Sequence, residues 1–220
     1  EDSEDIVKYL VDQGADVDSQ DKWVFDYVKY LKEWRREDER FSWFSVCHLD
    51  NVDRVKHFVE HGVDVNKKDD DGRTPLLYAC WNNYENIMKY LVETCKIDVN
   101  EEDEDGRTLL FYACEKGNEN IVKYLVEHGA DVNKENKYGE TPLFLACEKG
   151  DENIVKYLVE QGADVNKENN DGETPLLKAC IEGHENIVKY LAEHGADVNK
   201  EDGYGNTPLP IAAKYGHGNI

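Results

Sequence analysis

Five glycines set the frame for this chain. Gly72, Gly106, Gly139, Gly172 and Gly205 fall 34, 33, 33 and 33 residues apart. The residues around them recur with the same period. Asp71-Gly72-Arg73-Thr74-Pro75-Leu76 returns as Tyr138-Gly139-Glu140-Thr141-Pro142-Leu143, as Asp171-Gly172-Glu173-Thr174-Pro175-Leu176 and as Tyr204-Gly205-Asn206-Thr207-Pro208-Leu209. A fixed period near 33 means a repeat architecture before it means anything else.

One unit follows from local physics. Thr141 is an N-cap, and Pro142 takes the first helical position, where its missing N–H costs nothing. Leu143, Ala146 and Cys147 form the apolar stripe of a short helix, and Gly150 closes it in a left-handed cap. Ile154, Val155 and Leu158 then mark one face of a second helix, which Gly162 closes. Ala163-Asp164-Val165-Asn166 leads into a polar, extended finger that ends at Asp171-Gly172. A helix pair this short cannot bury its apolar face alone and must stack on copies of itself.

The carrying pattern is Gly-x-Thr-Pro-Leu-x-x-Ala-Cys, then Glu-Asn-Ile-Val-Lys-Tyr-Leu, then Gly-Ala-Asp-Val-Asn. It closely resembles the ankyrin repeat, near-completely from residue 66 to 199 and partially elsewhere. The resemblance implies an all-α ankyrin-repeat solenoid of stacked helix-turn-helix pairs with extended, β-hairpin-like fingers. Some positions depart from the family. Its usual His after Thr-Pro-Leu is replaced by Leu77, Phe111, Phe144, Leu177 and Pro210, so apolar packing is expected to replace the hydrogen bonds that His makes between repeats. Leu109 stands where the Pro belongs, which a helix first turn tolerates. Thr94-Cys95-Lys96-Ile97 replaces His-Gly-Ala, adding one residue and removing a cap glycine. A local irregularity is expected there.

Aligned on this pattern, residues 1–20 read as a partial repeat (second helix and finger). Residues 67–199 read as four regular repeats, and 200–220 as a partial C-terminal one. Between them, residues 21–66 form a degenerate repeat. Gly14 and Gly62 lie 48 residues apart rather than 33, which leaves about residues 19–40 as an inserted amphipathic helix marked by Val24, Val28 and Leu31. Trp23, Trp34 and Trp43 lie in or beside it. They serve either as packing for the degenerate repeat or as a docking element. Neither end carries a polar capping repeat, so a segment of a longer chain is expected.

The formal net charge is −22. Such a surface repels phosphate backbones, which disfavours direct nucleic-acid binding and favours a Lys/Arg-rich protein partner. No stretch approaches the roughly 18 apolar residues of a membrane span. Of six cysteines, Cys47, Cys80, Cys114, Cys147 and Cys180 share one repeat position and Cys95 does not. The recurrent five read as small buried hydrophobes too far apart to bridge. Free thiols fit a reducing compartment, hence an intracellular, cytoplasmic location, with the nucleus or delivery into a host cell as alternatives.

No catalytic constellation emerges, and no catalytic residue, cofactor or metal is expected. The run from Glu101 to Gly106 has the look of a calcium-loop start, but Tyr112 stands where the bidentate Glu belongs. His57 and His61 are spaced for a zinc helix, but Glu60 is misplaced for that motif. His128 and His194 share a slot beside the cap glycine, where a cation suits a helix C-terminus.

The resemblance implies where a partner binds. Fingers and first helices line a concave groove in such stacks, and the finger tips and outward positions of the first helix contact the partner. Here those positions include Asp70, Asp71, Glu104, Asp105, Tyr138 and Tyr204 on the fingers, Arg73 and Arg107 after the finger glycine, and Trp81, Lys116, Ile181 and Tyr215 on the first helices. Binding hot spots favour Trp, Tyr and Arg. The expected function is therefore a non-catalytic, monomeric protein-interaction scaffold. The alternatives are a targeting arm of a larger enzyme or effector and an acidic decoy for a nucleic-acid-binding protein. The resemblance also implies asparagine hydroxylation at the positions of Asn133, Asn166 and Asn199.

Overall fold

A computed structural model of the chain describes residues 52–60, 62–69 and 72–217. They lie in the unit Cys47–Ile220, one of two into which the chain divides. The partial repeat at 1–20, the insertion at 19–40 with its tryptophans, Cys47, His61, Asp70 and Asp71 lie outside the described residues, as does the side chain of His57.

The described residues form ten helices and no strand. Helix α1 (Val52–Glu60) is the second helix of a repeat. Four pairs follow: α2 (Pro75–Trp81) with α3 (Glu85–Glu93), α4 (Leu109–Glu115) with α5 (Glu119–Glu127), α6 (Pro142–Lys149) with α7 (Glu152–Glu160), and α8 (Pro175–Glu182) with α9 (Glu185–Glu193). Helix α10 (Pro208–Lys214) is a further first helix.

Capping chemistry sets the start of three of the five described first helices. The hydroxyls of Thr74, Thr141 and Thr174 accept from the backbone N–H of Leu77, Phe144 and Leu177 at 3.3, 3.2 and 3.2 Å. Each satisfies one N–H that the helix itself leaves unpaired. At α4, Leu109 replaces the proline and the helix still forms, but the Thr108 hydroxyl makes no cap bond. Phe111 N–H turns instead to the Thr108 carbonyl at 3.1 Å. Helix α6 ends at Gly150, whose φ of 80° is the left-handed cap expected there. Helices α3, α5, α7 and α9 each open on a glutamate, which suits the positive end of the helix dipole.

The irregularity expected near Cys95 is local. Lys96, with φ of 57°, occupies the left-handed position that glycine fills in other repeats, and Ile97 is buried where they place alanine. Asn83, with φ of 64°, does the same after α2. Asparagine tolerates that region far better than most residues.

First helices pack on first helices, and second helices α5, α7 and α9 on one another. Leu76, Leu110, Leu143 and Leu176 are buried between neighbouring repeats, as are Leu77, Phe111, Phe144 and Leu177 in the former His slot. Pro210 departs from this. It is exposed, and Leu209 beside it is 72% exposed. Apolar packing therefore replaces the His contacts in four of the five positions. Cys80, Cys114, Cys147 and Cys180 are free and buried. Burial raises the thiol pKa of Cys80 to about 12 and that of Cys180 to about 11, which keeps both as inert neutral thiols.

Polar ladders tie successive repeats together. Asn100, Asn133 and Asn166 each donate to a glycine carbonyl of the next repeat (Gly129, Gly162, Gly195) and accept from the aspartate N–H two residues beyond it. Lys134, Lys167 and Lys200 pair backwards with Glu102, Glu135 and Glu168 at 2.7, 2.8 and 2.9 Å. The fingers are hairpin-like turns without a strand ladder. Each closes on itself, as in Asn136 N–H to the Glu140 carbonyl at 3.0 Å, and three of them donate a backbone bond to the preceding finger. Lys137 N–H reaches the Asp105 carbonyl, Asn170 N–H that of Tyr138 and Gly203 N–H that of Asp171.

Candidate partner-binding face

Asp103 shows how a finger is joined to its first helix. One carboxylate oxygen accepts from Asp105 N–H at 2.8 Å and Arg107 N–H at 2.9 Å, and the other accepts from the Tyr112 hydroxyl. This uses the carboxylate within the turn that resembled a calcium loop. Asp69 does likewise, with Arg73 N–H at 2.8 Å and the Tyr78 hydroxyl at 2.5 Å. Burial, and then the aspartate each phenol faces, push the pKa of Tyr78 and Tyr112 above the ordinary value. Both hydroxyls therefore stay protonated as donors.

With the fingers so fixed, residues distant in sequence meet. Trp81, at the end of α2, is 37% exposed. Its ring centroid lies 5.2 Å from that of Tyr112 on α4. The Arg73 guanidinium stands over the Trp81 ring at 5.7 Å and the Lys116 ammonium at 5.0 Å. Arg107 leans toward Glu115 at 4.0 Å. Arg73, Trp81 and Arg107 were on the list read from sequence. Tyr112 was not, although its signal was present. Tyr78 and Tyr112 each follow an aspartate by nine residues, whereas later repeats carry Leu145, Lys178 and Ile211 in that slot.

Further along, Asp105 pairs with the Lys137 ammonium, which also stands 5.2 Å over the Tyr138 ring. Lys137 holds the Asp105 carboxyl below its ordinary range. Glu104 is exposed, with its side chain against Gly72. Lys178 lies between Glu148 and Glu182, 3.4 Å from each. Burial pulls the Lys178 pKa down, but the two carboxylates outweigh it and raise it. Ile181 is half-buried against Leu177, Cys180, Ile211 and Ala212. Tyr204 and Tyr215 are exposed, and Lys214 stands 5.7 Å over the Tyr215 ring. The structure thus brings Arg73 and Trp81 into one cluster and Asp105 and Tyr138 into another.

His128 and His194 each bond a carbonyl of the last turn, Tyr124 at 2.8 Å and Tyr190 at 2.7 Å, and stack on those tyrosine rings. No described group of His, Cys, Asp or Glu is arranged to hold a metal ion. No described helix is long and apolar enough to cross a membrane.

Comparison with known proteins agrees with this architecture. The family model described as ankyrin repeats (3 copies) matches residues 1–103, 95–169 and 166–220. A stretch of 42 residues is 40% identical to protein phosphatase 1 regulatory subunit 27 of Mus musculus, and equally to that of Homo sapiens. The match covers 19% of this chain and 27% of each relative, little more than one repeat. From the period, the helix pairs with their fingers, and a family match that runs the length of the sequence, it follows that the chain belongs to the ankyrin-repeat family.

Proposed function

We propose that this chain is a non-catalytic scaffold that holds a partner protein, predominantly basic, across the face built by its fingers and first helices. One observation carries the reading. Among the described residues, the exposed aromatic side chains are Trp81, Tyr138, Tyr204 and Tyr215, and each lies on a finger or at the end of a first helix. The second-helix tyrosines Tyr90, Tyr124, Tyr157 and Tyr190 are instead half-buried, each beneath a lysine of the preceding repeat. Aromatic residues left exposed on one face are what an interface uses as anchors. The basic character of the partner follows from complementarity to a chain of net charge −22.

Affinity capture from native lysate, comparing the wild type with a Trp81→Ala/Tyr138→Ala variant, tests this. Loss of a specific captured protein from the variant is the expected result. Retention of every captured protein by the variant overturns the reading.

A second reading, in which the chain directs an enzyme to its target, is favoured by the 42-residue likeness to protein phosphatase 1 regulatory subunit 27. A phosphatase catalytic subunit among the captured proteins supports it, and its absence argues against it.

A further inference from the structure

Successive fingers repeat one contact, and the last pair leaves it incomplete. Glu104, Lys137, Asn170 and Gly203 share one finger position, and Asp105, Tyr138, Asp171 and Tyr204 share the next. Lys137 reaches the preceding finger twice. Its N–H donates to the Asp105 carbonyl at 2.9 Å, and its ammonium pairs with the Asp105 carboxylate. The same ammonium stands 5.2 Å over the Tyr138 ring. A cation therefore lies between the aspartate at one fingertip and the tyrosine at the next. Asp171 and Tyr204 repeat that aspartate and tyrosine two fingers on, but the residue between them is Gly203. Gly203 makes the backbone contact alone, its N–H on the Asp171 carbonyl at 2.7 Å. A Cβ there would stand 2.7 Å from that oxygen, so the close approach of the two fingers excludes a side chain.

The other charges of these fingers do not fill the gap. Lys137, Lys167 and Lys200 are paired with Asp105, Glu135 and Glu168. Glu140 and Glu173 accept from the amides of Asn136 and Asn169, Asp202 accepts within its own turn, and Glu201 is exposed. Among the described residues, the exposed Asp171 forms no ion pair. Tyr204 is 79% exposed. Cations of the chain stand over Trp81, Tyr138 and Tyr215, and none among the described residues stands over Tyr204. An open carboxylate beside an open ring face attracts a cation on both counts. A guanidinium suits the pair best, because its planar fork matches a carboxylate while its face stacks on a ring.

Resting on the reading of this face as the partner site, we infer that Asp171 and Tyr204 together seat an arginine side chain of the partner. That arginine takes between them the place that Lys137 takes between Asp105 and Tyr138. The earlier pair, already holding its own cation, repels a second one. The basic character of the partner is thereby focused on one point of the stack, which fixes the register of the bound segment.

The test is selection of a phage-displayed library of random twelve-residue peptides on the immobilised 220-residue chain, at physiological salt. The selected peptides are then measured by fluorescence anisotropy on the wild type, on Asp171→Asn and on Tyr204→Ala. Neither side chain is hydrogen-bonded or ion-paired within the described residues, and an unchanged circular dichroism spectrum and urea midpoint establish that the variants are folded. The peptides are expected to share an arginine. Its replacement by alanine should weaken binding about tenfold on the wild type and about threefold or less on either variant. Lysine in its place recovers only part of the affinity, and other basic positions of the same peptide lose equally on all three proteins. Peptides without a shared arginine, or a shared arginine whose loss costs the same on all three proteins, overturn this inference and leave the scaffold reading standing. Lysine that binds as tightly as arginine overturns the guanidinium assignment. No enrichment above a bare surface overturns both the inference and the scaffold reading.

Discussion

The side-chain amide of Asn133 donates to the carbonyl of Gly162, one repeat further along, at 3.0 Å. Its oxygen accepts from Asp164 N–H at 2.8 Å. One side chain therefore satisfies both a carbonyl and an N–H of the neighbouring repeat's turn. Asn133→Ala removes both bonds, each with a net contribution of about 1 kcal/mol. A loss of about 1–2 kcal/mol is expected, read as a lower urea midpoint. Asn166→Ala, which breaks the same pair of bonds to Gly195 and Asp197, should match it.

Leu143 and Leu209 occupy the same slot of the repeat, yet the first is fully buried and the second 72% exposed. Leu143→Ala removes contacts on all sides and is expected to cost about 2–5 kcal/mol. Leu209→Ala should stay within about 0.5 kcal/mol of wild type. Equal losses in chemical denaturation would show that the slot alone, without its neighbours, sets the energy.

A Cβ at Gly150 would sit 2.5 Å from Cε1 of His184, whose Nε2 donates to the Glu148 carbonyl at 3.2 Å. Gly150→Ala therefore combines left-handed strain of about 1–2 kcal/mol with displacement of that ring. It should lower the thermal midpoint more than the strain alone. Lys96→Gly is the reverse case. It relieves the strain at φ of 57° against the smaller entropy of an added glycine, and should stabilise by about 0.5 kcal/mol.

Acid should act through the paired carboxylates. Hydrogen bonds and charge from Lys137, Lys123 and Lys156 hold Asp105, Glu119 and Glu152 below their ordinary values of 3.8, 4.5 and 4.5. A carboxylate depressed in the folded state stabilises it above the unfolded value, and that contribution is lost as pH falls through the folded one. The urea midpoint is expected to hold from pH 7 to about 5 and to fall below about 4. In Lys137→Ala the Asp105 share of that fall disappears, because its folded and unfolded values converge.

The elements of this fold were legible because they are local. A threonine starts each described first helix, a proline follows it in four of the five, a glycine follows the helix in four of the five, and a period near 33 in the sequence announces that the units stack. Even the missing glycine near Cys95 could be read in advance. What Lys96 did about it could not, because taking a left-handed conformation depends on the packing of Ile97 beside it.

The site divides the same way. The resemblance to the ankyrin repeat, laid on the sequence position by position, was enough to list Arg73, Trp81, Arg107 and Tyr138 as surface candidates. That Lys116 and Arg73 converge on Trp81, that Tyr112 floors the cluster, and that Leu209 is exposed where Leu143 is buried were decided by the tertiary structure. Each depends on which side chains of the next repeat come within a few ångströms. A repeat sequence prescribes each unit separately, whereas burial and charge at a shared face belong to the pair.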